Sequence, residues 1–99
     1  MKKVIKFRDW ECKLSRSEFG NKVACIVLSD VNDEQPVAKA SVNLPCYRIG
    51  KNQTFIKDVR ENEGILKELI DNGIVALPEE LLYDDEGTLV DIIEPSLMI

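Results

Sequence analysis

Near the middle of this chain the spacing of apolar residues changes from every second position to the three-and-four spacing of a helix. That change constrains the fold more than any other feature. Trp10, Cys12 and Leu14 alternate with Glu11, Lys13 and Ser15, which places the apolar set on one face of a strand. Lys22 to Ser29 is rich in β-branched residues and reads as a second strand. Ala38, Ala40, Val42 and Leu44 alternate with Lys39, Ser41 and Asn43, giving a third strand with one wet face. Polar turns at Glu18-Phe19-Gly20-Asn21 and Asp30 to Pro36 join them. The expectation is an antiparallel meander ended by Pro45, which cannot donate to a ladder.

Ile65, Leu66, Leu69 and Ile70 then form a helical stripe, predicting a helix over 60–72. Its N-terminal cap is either Asn62, or Asp58 with Glu61 three residues on as a capping box. Glu63 and Lys67 stand at i,i+4 in the favourable order, and Gly73 sits where a left-handed C-terminal cap belongs. The stripe has to pack on the apolar face of the meander, because no other surface of suitable size exists. Ile74 to Leu77 is apolar and Pro78 breaks it. Residues 79–83 read as a short helix or a strand. Asp84-Asp85-Glu86-Gly87 reads as a turn with glycine where positive φ is tolerated, and Thr88 to Ile93 as a last strand. The predicted fold class is α+β: a three-stranded N-terminal meander plus one or two C-terminal strands, packed on one main helix, in a single domain over residues 1–99.

Composition agrees with a folded chain: 44% of residues are hydrophobic and 31% charged. The longest apolar runs are too short to cross a bilayer, and Lys6, Arg8 and Asp9 interrupt any secretory-type opening. A cytoplasmic location without membrane contact is expected. Cys12, Cys25 and Cys46 have neither metal-knuckle nor redox-motif spacing, so they are expected to be reduced thiols, with only Cys46 near solvent. The chain has no histidine. The commonest general base, metal ligand and nucleophile activator are therefore missing together. No enzymatic activity, catalytic residue, metal or cofactor is expected.

Charge divides the chain. Residues 1–57 hold eleven Lys/Arg against six Asp/Glu, and residues 58–99 hold two against twelve, so +5 and −10 make the net −5. Either the halves intermix and neutralise one another, or one of them is an interaction surface. The densest acidic group is Glu79, Glu80, Asp84, Asp85 and Glu86. It lacks the alternating spacing of a calcium loop, and reads either as a solvated turn or as a surface for a basic partner. Lys2, Lys3, Lys6, Arg8, Lys13, Arg16 and Lys22, with Phe7 and Trp10 nearby, form a basic zone of the kind that binds nucleic acid. Against that stand a pI near 4.7 and the core spacing of Trp10 with Cys12 and Leu14. Tyr47 and Arg48 lie in an eleven-residue polar loop from Pro45 to Phe55 that either joins sheet to helix or presents an exposed tyrosine and arginine for protein recognition.

Val42-Asn43-Leu44-Pro45, followed by Phe55-Ile56-Lys57-Asp58 and Glu61-Asn62-Glu63-Gly64-Ile65-Leu66, resembles a family of small, functionally uncharacterised proteins carried by phages, plasmids and conjugative elements of Gram-positive bacteria. The resemblance covers roughly residues 38 to 76. It implies a mobile-element origin and a β-hairpin near the C-terminal end. The expected function is a non-enzymatic accessory protein, a monomer or weak dimer, acting by contact with a host or element protein. The sharper form is an anti-defence inhibitor whose acidic residues, with Asp91 and Glu94, occupy a basic channel on that protein. The alternative is a nucleic-acid-binding accessory factor using the basic N-terminal zone.

Overall fold

The computed structural model describes residues 4–76 and 87–98, and the backbone of residues 83 and 84. Its fold class is α+β, with two four-stranded antiparallel sheets and one α-helix. The expected meander is present but gains a strand at its front. β1 (Val4–Phe7) pairs with β2 (Trp10–Glu18) across a two-residue loop, Ile5 opposite Cys12 and Phe7 opposite Trp10. Ile5 and Phe7 point inward, while Val4 and Lys6 stay in solvent. Only two apolar residues carry that alternation, too few to stand out among the flanking lysines. β3 (Ala24–Asp30) and β4 (Pro36–Lys39) complete the sheet in the order β1-β2-β3-β4.

The third predicted strand is broken. It leaves the first sheet after Lys39 and enters the second as β5 (Ser41–Val42). Ala40 is the corner: its N–H donates to Ile26 O at 2.9 Å and its carbonyl accepts from Lys57 N at 2.8 Å, one bond into each sheet. Ala40 and Ser41 are consequently both buried, and alternation fails there. β6 (Gln53–Ile56) lies where a polar loop was expected. It runs between β5 and β8 (Gly87–Asp91), and β8 in turn pairs with β7 (Tyr83–Asp84). Thr54, Phe55 and Ile56 are all buried, because a strand covered on both faces loses the two-residue period.

The seam between the sheets is polar and fully paired. Ile26 N–H donates to Ser41 Oγ at 2.9 Å, Ser41 and Thr54 hydroxyls lie 2.9 Å apart, and Thr54 Oγ1 donates to Ala24 O at 2.8 Å. Thr54 spends its single proton on Ala24, so the Ser41 hydroxyl must donate to Thr54. Around the seam, Leu14, Ile26, Leu28, Ile56, Val90 and Ile92 form the core.

The helix is shorter than its stripe predicted. A 3-10 turn, Arg60–Asn62, precedes α1 (Ile65–Asp71), and Gly64 at φ 94° separates them. Neither predicted cap acts as expected. Asp58 Oδ1 accepts the N–H of Gly64 at 3.0 Å and of Leu66 at 2.9 Å, while Glu61 turns to Lys57 at 2.6 Å. Asn62 is buried and donates to Lys39 O at 2.8 Å. Lys67 pairs with Asp71 at 2.6 Å rather than with Glu63. Ile65 and Leu69 are fully buried, with Leu66 and Ile70 partly so, and the helix packs beside β1.

Gly73 has φ 71° and ends the helix as predicted. Its N–H donates to Ile70 O and that of Ile74 to Leu69 O, the paired bonds of a Schellman cap. Gly87 is required for a different reason from the one expected. It lies in β8 with an ordinary φ, and a Cβ there would meet Phe55 Cβ and Val42 Cγ1 at 2.9 Å. Past β8, Glu94 accepts from Ser96 N and Oγ at the start of a 3-10 turn, Pro95–Leu97. Arg16 ties that turn to β2, donating from Nη1 to Leu97 O and Asn52 Oδ1, each at 2.8 Å, and from Nη2 to Lys51 O.

Candidate functional site

A groove of about 870 Å³ opens where the β1–β2 hairpin, the β4–β5 corner and the 57–62 segment meet. It is open rather than enclosed, which suits an extended ligand better than a trapped small molecule. Arg8 and Trp10 come from the hairpin, Lys39 from the end of β4, and Lys57 and Arg60 from the segment leading to α1. Glu61 is the one carboxylate among the described residues that line it.

The fold holds these cations in place. The Arg8 guanidinium lies 5.2 Å from the Phe7 ring centroid and donates from Nη2 to Glu61 O at 3.0 Å, bridging the two walls. Lys39 Nζ lies 5.8 Å from the centroid of Phe19. Such contacts steer a cation over an aromatic face while leaving it hydrated. The buried Asn62 clamps the 3-10 turn to Lys39 O, and so fixes Arg60 relative to Lys39. Arg8 and Arg60 both have positive φ, 56° and 57°. That backbone is uncommon for arginine, and both residues line the same groove.

Lys57 donates to Glu61 at 2.6 Å, and this hydrogen bond holds the Glu61 carboxyl below its usual range. Glu61 therefore remains ionised near neutrality, as a counter-charge and not a proton donor. Among the described residues no group of three or more Cys, Asp or Glu is placed to hold a metal ion. No helix there is long and apolar enough to cross a membrane.

The residues singled out from sequence scatter. Glu79, Glu80, Asp85 and Glu86 lie outside the described residues, as does the side chain of Asp84. Asp91 accepts from Gln53 Nε2 at 2.9 Å and Glu94 caps a turn, so both have structural work. Tyr47 is half-buried rather than exposed: its ring packs on Phe55 with centroids 5.3 Å apart, and only Arg48 of that loop pair stands in solvent. Of the basic N-terminal zone, Lys2 and Lys3 lie outside the described residues, Lys13 pairs with Glu34, and Arg16 is folded into the C-terminal tie.

Among the described residues of that zone, Phe7, Arg8 and Trp10 reach the groove. Lys39, Lys57 and Arg60 were not singled out as ligands. Lys57 carries no local signal beyond the family-like motif, Arg60 falls between two segments of that motif, and Lys39 looked like any wet-face residue of a strand. Trp10 is 47% exposed although its neighbours Cys12 and Leu14 are buried. It shares their face of β2 but lies at the strand's first position, past the edge of the core. Cys12 and Cys25 are buried and Cys46 exposed, all three free thiols. No protein-family model, curated protein or solved structure matches the chain.

Proposed function

We propose that this protein is a non-enzymatic accessory factor of a mobile element that works by binding an anionic partner in the groove. One observation carries the reading. Arg8, Lys39 and the segment carrying Lys57 and Arg60 are far apart in the chain and converge on one cleft, where the one carboxylate among the described lining residues, Glu61, is already paired with Lys57. A net-negative chain gains nothing in stability from collecting like charges in one place, so the cluster has the character of a ligand site. The mobile-element origin is supported by the Val42–Pro45, Ile56–Asp58 and Glu61–Leu66 motifs. A binding role rather than catalysis is supported by the absence of histidine from the sequence and by an ionised, hydrogen-bonded Glu61. Three unpaired cysteines support a reducing, cytoplasmic setting. An inhibitor presenting the acidic residues near 79–86 rests on sequence alone, whereas the groove rests on geometry.

Retention on an immobilised sulfated polyanion tests the reading. Lys39→Glu with Arg60→Glu should abolish retention, whereas Lys6→Glu with Lys51→Glu, exposed and off the groove, should leave most of it. Equal losses from the two pairs would show only diffuse charge attraction and would end the groove reading.

A further inference from the structure

We infer that the anionic partner is a single strand of nucleic acid, one of whose bases stacks on Trp10 while neighbouring phosphates meet Arg8, Lys39 and Arg60. This rests on the groove being the ligand site. Charge complementarity alone would admit an acidic peptide equally well; the tryptophan separates the two.

Three rings face the groove, Phe7, Trp10 and Phe19. The faces of Phe7 and Phe19 already carry Arg8 and Lys39. Among the described residues no ring or cation stacks on Trp10. The indole forms the wall between the groove and a smaller hollow bounded by Asp30, Asp33 and Val37. Phosphate would be repelled on that acidic side and attracted on the other. A backbone would therefore lie on the groove side, beside the cations. The arrangement of cations along a cleft with one free aromatic platform is the one by which single strands are held without reading sequence. A duplex keeps its base faces stacked inside and has nothing to offer the indole. A peptide whose side chains are carboxylates alone could pair with the cations but has no flat π surface to match Trp10.

Trp10 is the chain's one tryptophan, so its fluorescence reports on stacking directly. The wild-type protein would be titrated with a short oligothymidylate, an abasic deoxyribose-phosphate strand of equal length, and polyglutamate. We expect the oligothymidylate to quench the emission and to bind more tightly than the other two. Trp10→Ala, followed by anisotropy of labelled strands, should weaken oligothymidylate roughly 5- to 150-fold, the contribution of one stacked base, and leave the abasic strand unaffected. Trp10→Phe should recover most of that loss. Raising salt fourfold should weaken binding about twenty-fold if three phosphates are neutralised.

Equal binding of thymidylate and abasic strands without quenching would overturn the stacking inference and leave the groove reading standing. Polyglutamate binding as tightly as oligothymidylate would overturn it in favour of an acidic protein. If none of the three polyanions binds, both readings fall.

Discussion

Thr54→Val removes one hydroxyl from the seam between the sheets while keeping the side chain's shape. Two costs follow. The hydrogen bond to Ala24 O, 2.8 Å in the native protein, is lost, and the Ser41 hydroxyl 2.9 Å away is left with no acceptor. Ser41 cannot turn to Ile26, whose N–H is a donor already using the Ser41 oxygen. A lost hydrogen bond costs about 0.5–1.5 kcal/mol and a stranded buried group about 1–3 kcal/mol, so the sum is about 1.5–4.5 kcal/mol. Thr54→Ser provides the control. It keeps the hydroxyl and deletes one buried methyl group, a loss of about 1 kcal/mol. Urea unfolding of both variants should show midpoint shifts at unchanged slope, with valine the more damaging. If serine proves worse than valine, Thr54 acts by packing, and the hydrogen-bond order assigned to the seam is wrong.

Leu69→Ala should cost about 2–5 kcal/mol, since Leu69 is fully buried between α1 and the core; an unmoved urea midpoint would mean the helix is not packed. Gly87→Ala should destabilise by about 1–3 kcal/mol through overpacking against Phe55 and Val42, and a neutral result in the same assay would contradict the close approach of β8 to β5 and β6. In the native protein only Cys46 should react quickly with a thiol reagent, because burial shields Cys12 and Cys25 and raises their pKa values. Denaturant should expose all three, and a reductant should leave the melting temperature unchanged; fast reaction of a second native thiol would refute the burial. Finally, the hydrogen bond from Lys57 lowers the pKa of Glu61. The pairing is therefore present above the unfolded-state pKa and is lost as pH falls through the depressed one. Polyanion affinity should rise across that acid window as the counter-charge disappears, and Glu61→Gln, which removes the charge at every pH, should flatten the rise.

How much of the fold could be read from the sequence follows from how many faces of each element are covered. β2, wet on one face, keeps a clean alternation at Cys12 and Leu14 and was legible. Gly73 was legible too, because a glycine after an apolar stripe has few other reasons to be there. β6 was not, since Thr54, Phe55 and Ile56 are buried in succession and a short run without a period resembles the end of a loop. The break at Ala40 was hidden for the opposite reason. Alternation continues through it on paper, but Ala40 and Ser41 sit where two sheets meet and both turn inward. The helix was overestimated because Gly64 interrupts an otherwise favourable segment, and its cap, Asp58, reaches past Asn62 to Gly64 and Leu66.

The candidate site shows a harder limit. A sequence window detects charges that are neighbours in the chain, and on that basis the basic N-terminal zone stood out. Folding disperses it: Lys13 goes to Glu34 and Arg16 to the C-terminal tie. The groove is assembled instead from Arg8, Lys39, Lys57 and Arg60, which no window of helical or strand length contains. Two contacts bring them together, the Asn62 clamp on Lys39 O and the Arg8 bridge to Glu61 O. Neither is predictable from residue type, because an asparagine in that segment looks like a cap and an arginine in a hairpin loop looks like a solvated charge. Trp10 is the exception. Its place at core spacing and its exposure in the folded chain disagree, and an aromatic that the core could have covered but does not is the feature from which a stacking ligand can be inferred.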